Sequence, residues 1–197
     1  MARFGYYDRL SADSKRTYRQ SDAIERVEVP EVGSLSPLVL AIEPALAAAQ
    51  RSAVERSCQA LADALNARLK APRVAVRVLE RRPSNNAGEL HGLYEPDEVT
   101  GGAARISLWM RTAQRKQVVK FRTFLRTLVH ELCHHFDYEV FGFAETFHTQ
   151  GFYARESMLV RELLGETRSR APAEAGEMLQ RGVDVASGST LASPHRQ

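Results

Sequence analysis

The spacing of hydrophobic residues predicts three long helices. Apolar residues recur every three or four positions over residues 43–69 and over residues 118–140, which is typical of helices that bury one face. Pro72 ends the earlier helix. A third helical pattern begins at His148, and Gly165 closes it.

Three shorter stretches have the composition of β-strands. Residues 74–79 are rich in β-branched side chains, and residues 104–110 alternate between apolar and polar positions. Residues 89–94 form a weaker pattern that contains Gly92, as expected for an edge strand beside a cleft. We therefore predict an α+β domain. A small mixed or antiparallel sheet of about three strands packs on a long N-terminal helix and on the helix at residues 118–140, and a further helix follows.

The composition divides the chain into a domain and two flanking segments. The 197 residues fit one domain with room for tails. Residues 38–165 form the predicted domain, and residues 1–37 form a basic polar arm with a short helix at residues 6–18. Residues 166–197 are rich in Ala, Gly, Ser, Pro, Arg and Glu, which predicts a largely disordered tail with a short helix at residues 173–181.

The basic arm is the feature that raises the question of a nucleic-acid partner. Its cationic side chains alternate with tyrosines, a composition that can contact nucleic acid or an acidic protein. The net charge of the whole chain is only +3, so the favoured interpretation is a solvated or loosely docked extension. The residues concerned are Arg3, Arg9, Lys15, Arg16, Arg19 and Arg26, with Tyr6, Tyr7 and Tyr18.

The cysteine content and the N-terminus predict a cytoplasmic protein. The two cysteines, Cys58 and Cys133, form no disulfide framework, and we expect both to be reduced thiols. The first residues include no apolar leader segment, and no stretch is long enough to span a membrane.

The most informative motif is the H-E-x-x-H spacing of His130, Glu131 and His134. On a helix, His134 lies about 40° from His130, so both imidazoles point from one face towards a tetrahedral metal. Glu131 lies about 100° away, where its carboxylate can reach a metal-activated water rather than the metal. His135, at about 140°, is poorly placed as a ligand.

A catalytic zinc site takes three protein ligands, and the third is open to alternatives. His148 is the favoured third ligand. Asp137 is a rival because it shares the histidine face, although it is also placed to accept a hydrogen bond from an imidazole N–H. Glu145 is another, because zinc sites also use glutamate. Val140 stands where a metzincin needs its third histidine, which excludes that subclass.

The motif at residues 130–134, followed by His148, by Phe152 and by Glu156-Ser157-Met158-Leu159, resembles the SprT-like family of zincin metallopeptidases. The family pairs H-E-x-x-H with a later histidine that begins a helix carrying an aromatic residue. The likeness is specific over residues 128–159 and implies a zincin-like fold for the α+β domain.

The resemblance implies a Zn²⁺ ion bound by His130, His134 and His148, with Glu131 as the general base of peptide hydrolysis. The chain departs from the family pattern at Thr149, where the family has glycine, and it lacks the four cysteines of a C-terminal zinc ribbon. Eukaryotic relatives cleave proteins crosslinked to DNA. Because the ribbon is absent, the resemblance favours the peptidase chemistry over that substrate.

These features predict a zinc metalloendopeptidase acting on a protein or peptide, which could pair with the exposed edge strand. Tyr153 and Arg155 are candidate stabilisers of the oxyanion, since they lie nearest the site in sequence. Two other classes remain open. The chain could be a SprT-like DNA- or protein-binding module with a structural zinc or vestigial activity, or a metal-free helical domain with buried histidines.

Overall fold

A three-stranded mixed sheet is the centre of the fold. The structure, a computed structural model, describes residues 4–85 and 88–166. The strands are β1 (Ala75–Arg81), β2 (Ser84–Asn85), β3 (Gly88–Glu89), β4 (Gly92–Glu95) and β5 (Arg105–Arg111). The helices are α1 (Ala12–Ala23), α2 (Ser36–Leu40), α3 (Ile42–Ala47), α4 (Arg51–Leu69), α5 (Asp97–Thr100), α6 (Phe121–Glu139) and α7 (Gln150–Leu163), with 3-10 turns at Tyr7–Arg9 and Val32–Leu35.

Strand β5 lies between the other two long strands. It runs parallel to β1, with Ala75 opposite Arg105, and antiparallel to β4, with Gly92 opposite Leu108. The middle residues of β5 are buried, as expected for a central strand, whereas β4 lies at the edge of the sheet. The predicted α+β class and the three-stranded sheet are confirmed, and residues 92–94 of the predicted strand at residues 89–94 lie at the edge of the sheet. The edge strand is shorter than predicted, because Gly88 and Glu89 pair with β2 instead.

The predicted helix at residues 43–69 is wrong in one respect, because two helices occupy that range. Helix α3 ends before Ala49, whose φ of 52° lies in the left-handed region, and α4 begins at Arg51. A left-handed residue cannot continue an α-helix. Helix α4 still buries the predicted apolar face against β1 through Val54, Cys58, Leu61 and Leu65.

Helix α6 carries the H-E-x-x-H motif and begins three residues later than predicted. Val118 forms a bridge with Arg111, and the N–H of Val119 donates to the Met110 carbonyl. These residues therefore extend the β5 region instead of starting the helix. The apolar side of α6 packs against β4, β5 and α7.

The expectation of a solvated or loosely docked N-terminal arm is wrong for the residues that the structure describes. Tyr18 and Val27 are only 1% exposed, and α1 packs against α7. The N-terminal helix also lies later than predicted, because Ser11 caps α1 by accepting from the N–H of Ser14. The predicted tail and its helix at residues 173–181 lie almost wholly outside the described residues.

Helix α7 begins two residues after His148. Thr149 is its N-cap and accepts a hydrogen bond from the N–H of Phe152 at 2.9 Å. His148 therefore precedes the helix, in contrast to the prediction. Gly165, at φ 69°, follows the end of the helix as predicted.

The two cysteines are unpaired, as expected from the sequence. Cys58 and Cys133 are both free and buried, and Cys133 belongs to the hydrophobic core. Among the helices in the described ranges, none has both the length and the apolar character of a membrane span.

Candidate metal centre

Three histidine side chains converge at one point beside the sheet. The Nε2 atoms of His130 and His134, presented by α6, are 3.3 Å apart. The Nε2 atom of His148, from the loop before α7, lies 3.0 Å from the first and 3.1 Å from the second. The three histidines thus lie close enough to hold a metal ion, as predicted.

The tautomer of His130 is set by a buried glutamate. The Nδ1 atom of His130 lies 2.8 Å from Glu156 Oε2, and Glu156 also accepts a hydrogen bond from Arg126. Burial works to raise the pKa of Glu156, but the bonds from His130 and Arg126 hold it below its usual value. A carboxylate can only accept, so Nδ1 carries the proton and Nε2 presents its lone pair to the centre.

A second hydrogen-bond chain sets the tautomer of His134. Its Nδ1 atom lies 2.8 Å from Thr146 Oγ1, whose hydroxyl donates to Asp137 Oδ2 at 2.8 Å. The Thr146 oxygen must therefore accept from His134, which leaves a lone pair on Nε2. Burial, with the neighbouring His130 and His148, also lowers the pKa of His134 to about 2, so its imidazole is neutral.

Two lone pairs thus face each other across 3.3 Å, and a third imidazole nitrogen completes the triangle. Two acceptors at that distance repel unless a cation or a proton lies between them. Burial lowers the pKa of His148, which disfavours a proton. The donor set is therefore arranged for a cation that prefers nitrogen ligands.

Glu131 lies beside the histidines without joining them. Its side chain is buried in the cleft wall, where the backbone N–H of Tyr94 donates to the carboxylate. Burial raises the pKa of Glu131 to about 7, although His130 and the Tyr94 N–H oppose the shift. A carboxylate with that pKa can both take and release a proton near neutral pH.

Gly92 of β4 is the residue that leaves room for Glu131. A Cβ atom at position 92 would come within 2.8 Å of both Cγ and Cδ of Glu131 and closer still to Oε1. Close approach of a backbone to a functional group is a common reason for glycine within a strand.

We expect Gly92→Ala to slow by about 10²-fold any reaction in which Glu131 acts as a base, because the added methyl displaces the Glu131 carboxylate. Metal content should be unchanged, since the three atoms nearest the new methyl group all belong to Glu131 and none to a histidine. Activity and metal content are to be measured on the same preparation, with Gly102→Ala as the matched control because a Cβ there meets nothing within 4 Å. Full activity in Gly92→Ala would show that the position of Glu131 is unimportant.

A cleft of about 730 Å³ opens in front of the histidines. Edge strand β4 and the residues before it form one wall, and α6 forms another. Leu90 and Leu93, both partly exposed, give the β4 wall an apolar surface. The cleft therefore combines an accessible strand edge, an apolar wall and the polar centre.

The two rival ligands named from sequence lie outside the histidine cluster. Asp137 is fully buried, with Oδ1 bound to Arg155 and Oδ2 bound to Thr146. Asp137 accepts a hydrogen bond from the Thr146 hydroxyl, which in turn accepts from His134. From the sequence, Asp137 was expected to accept directly from an imidazole N–H. Glu145 accepts a hydrogen bond from Ser14 at 2.7 Å.

The two candidate oxyanion stabilisers lie in different environments. Arg155 is fully buried and bonded to Asp137 and to backbone carbonyls of Ser21 and Ile24. The prediction that Arg155 stabilises the oxyanion is therefore wrong. Tyr153 lines the cleft, is 40% exposed and stacks on the His148 ring at 5.7 Å. Tyr153 remains a candidate stabiliser of the oxyanion.

Neither Thr146 nor Glu156 was assigned a role at the site from the sequence. Thr146 and Glu156 orient His134 and His130; Glu156 entered the sequence analysis only as part of the family resemblance, and no spacing marks Thr146. His135 is buried between the Pro72 carbonyl and the Tyr94 hydroxyl, away from the centre, as its helical angle predicts.

Comparison with models of known protein families, with curated proteins and with solved structures gives no match to this chain. A function has to be inferred from the chemistry of the site itself. The relevant observations are the three converging histidines, the buried Glu131 beside them and the cleft in front of them.

Proposed function

We propose that the protein is a zinc-dependent metalloendopeptidase. The observation that carries this proposal is the position of Glu131, a carboxylate with a raised pKa that shares the cleft with three convergent histidines but is not one of the ligands. A purely structural metal site does not need a carboxylate that is not a ligand. A hydrolase needs one as the general base that activates water.

Zinc fits the donor set better than harder cations. Three neutral imidazoles suit Zn²⁺, whereas Mg²⁺ and Ca²⁺ prefer oxygen ligands. Tetrahedral zinc with Zn–N distances of about 2.0–2.1 Å separates two nitrogen ligands by roughly 3.3 Å. The observed separations of 3.0, 3.1 and 3.3 Å are close to that value.

In the proposed mechanism the three histidines would hold a zinc ion, which would supply Lewis acidity towards water and a peptide carbonyl. Glu131 takes a proton from the attacking water and delivers it to the leaving amine. The Tyr94 N–H keeps the Glu131 carboxylate oriented during both transfers. Tyr153, which lines the cleft, is proposed to donate to the developing oxyanion.

The proposed substrate is an extended segment of a protein or peptide. Among the described strands β4 pairs with β5 alone, so the backbone groups of its other edge that are not bonded to Glu131 can pair with an additional strand. Leu90 and Leu93 would contact apolar side chains of that segment. The chemistry does not distinguish a free protein from one attached to DNA.

Membership of the SprT-like family is part of this proposal. It is supported by the H-E-x-x-H helix, the later His148 and the contact between His148 and Phe152, whose ring centres are 5.2 Å apart. Thr149 stands where the family has glycine, and it caps the N-terminus of α7.

The alternative of a DNA- or protein-binding module is less well supported. Several cations of the N-terminal segment already have intramolecular partners. Arg19 donates to the Tyr7 hydroxyl, Arg26 pairs with Glu162, and Lys15 donates to the Asp8 carbonyl. Zinc binding without any peptidase activity would favour this alternative.

The deciding experiment measures metal content and cleavage of an unfolded protein in wild type and in His148→Ala. We expect about one zinc ion per wild-type chain, with cleavage, and loss of both in His148→Ala. His91→Ala is the matched control for metal content, because His91 lines the cleft outside the three-histidine cluster. A wild-type protein that binds no zinc after metal is added back would overturn the proposal.

A further inference from the structure

His148 is the one ligand that does not lie on a helix. It belongs to the segment at residues 144–149, here called the ligand loop, which connects α6 to α7. Residues 4–24, here called the N-terminal clamp, contact this loop along much of its length. The N-terminal clamp is distant from His148 in sequence. Its contacts therefore fix the third ligand independently of the helices that flank the ligand loop.

Two side chains of the clamp bind the ligand loop directly. The Tyr6 hydroxyl donates to the main-chain carbonyl of His148 at 3.0 Å. The Ser14 hydroxyl donates to Glu145 Oε1 at 2.7 Å, near the other end of the loop. One bond thus holds the backbone of the ligand itself and the other holds the loop that leads to it.

The end of α1 holds the beginning of α7. Ser21 Oγ lies 3.3 Å from Thr149 Oγ1, and Asp22 Oδ1 accepts from the N–H of Gly151 at 3.2 Å. A Cβ atom at Gly151 would lie 2.5 Å from the carbonyl oxygens of both Ser21 and Asp22. The two backbones are therefore in close contact immediately after His148.

Aromatic packing adds a third set of contacts. Tyr6 stacks against Phe147 at 6.5 Å, and Tyr18 lies 6.0 Å from the same ring. Phe4 lies 6.1 Å from Tyr153, whose ring covers the imidazole of His148. The clamp therefore contacts the residue before the ligand and the residue that stacks on it.

We propose that the N-terminal clamp positions His148 and thereby sets the metal affinity of the site. A ligand that is already ordered loses little conformational freedom when the metal binds, whereas a mobile ligand lowers the affinity. Tyr6 and Ser14 are positioning residues, since neither belongs to the histidine cluster. The inference rests on the metal site of the proposed function but not on peptide hydrolysis.

The test measures the zinc affinity of full-length apoprotein by competition with a chromogenic chelator. Tyr6→Phe removes the hydroxyl but keeps the stacked ring, and Ser14→Ala removes the second tether. We expect each to weaken zinc binding by about three- to tenfold and the double variant by more than either. Tyr7→Phe, the same change at the next residue, should bind as wild type, because the Tyr7 hydroxyl accepts from Arg19 within the clamp.

Two further measurements separate positioning from general loss of structure. The Co²⁺-substituted variants should show weaker visible absorption bands, because a displaced His148 changes the coordination of the ion. Thermal unfolding of the apoproteins should remain within a few degrees of wild type, since both tethers are partly exposed.

The outcomes distinguish the inference from the proposed function. Wild-type zinc affinity and an unchanged Co²⁺ spectrum in the double variant would overturn the clamp and leave the metal site intact. A wild type that binds neither zinc nor cobalt would overturn both. Equal weakening in Tyr7→Phe and Tyr6→Phe would show that the bond to His148 has no special importance.

Discussion

Glu131→Gln is expected to bind zinc as wild type does and to cleave peptide bonds about 10²–10⁴ times more slowly. The amide keeps the shape of the carboxylate and can still accept from the Tyr94 N–H, but it cannot take a proton from water. The three imidazole ligands are not altered. Metal content and kcat/KM on an unfolded protein substrate, determined on the same samples, check both halves of the prediction.

Glu139→Gln is the matched control, because Glu139 is an exposed residue near the end of the same helix. It should retain both metal and activity. Loss of zinc in Glu131→Gln would instead place Glu131 among the ligands. Undiminished cleavage would remove the general base from the mechanism and with it the main support for a peptidase.

Arg155→Ala is expected to lower the free energy of unfolding by roughly 3–5 kcal/mol, which is typical of breaking a buried ion pair from one side. The Arg155 guanidinium is fully buried and lies 2.7 Å from Asp137 Oδ1. Its removal leaves the Asp137 carboxylate with the Thr146 hydroxyl but without its cationic partner, and it deprives the Ser21 and Ile24 carbonyls of their donor. Urea denaturation of the zinc-free protein measures this effect without a contribution from bound metal.

Arg122→Ala serves as the control for loss of an arginine. Its partner is Glu166 and the pair is largely exposed, so we expect a far smaller change in the urea midpoint. A similar small change in Arg155→Ala would mean that the Asp137 carboxyl is protonated or hydrated when its partner is absent.

The two helix-borne ligands and Glu131 could be predicted because they follow from helix geometry. A fixed angle per residue places His130 and His134 on one face and Glu131 beside it, whatever the rest of the fold does. His148 could be proposed by position, although its location before α7 could not. The central and edge strands also follow from local alternation and from Gly92.

The supporting residues could not be predicted because their roles depend on contacts between distant segments. Glu156 and Thr146 become partners of imidazoles only when α7 and the ligand loop fold against α6. Arg155 lies close to His148 in sequence, yet it points into the core because Asp137 and the end of α1 provide its partners there. The break at Ala49 has no local signature, since alanine is a strong helix former.

The contacts of Arg155 also have a consequence for the order of folding. This side chain joins α7 to α1 and α6, and its partner Ser21 was synthesised 134 residues earlier. Contacts at such separations close late, because a long loop must be ordered before they form. We therefore expect the three-histidine centre to stay incomplete on the ribosome until α7 has emerged.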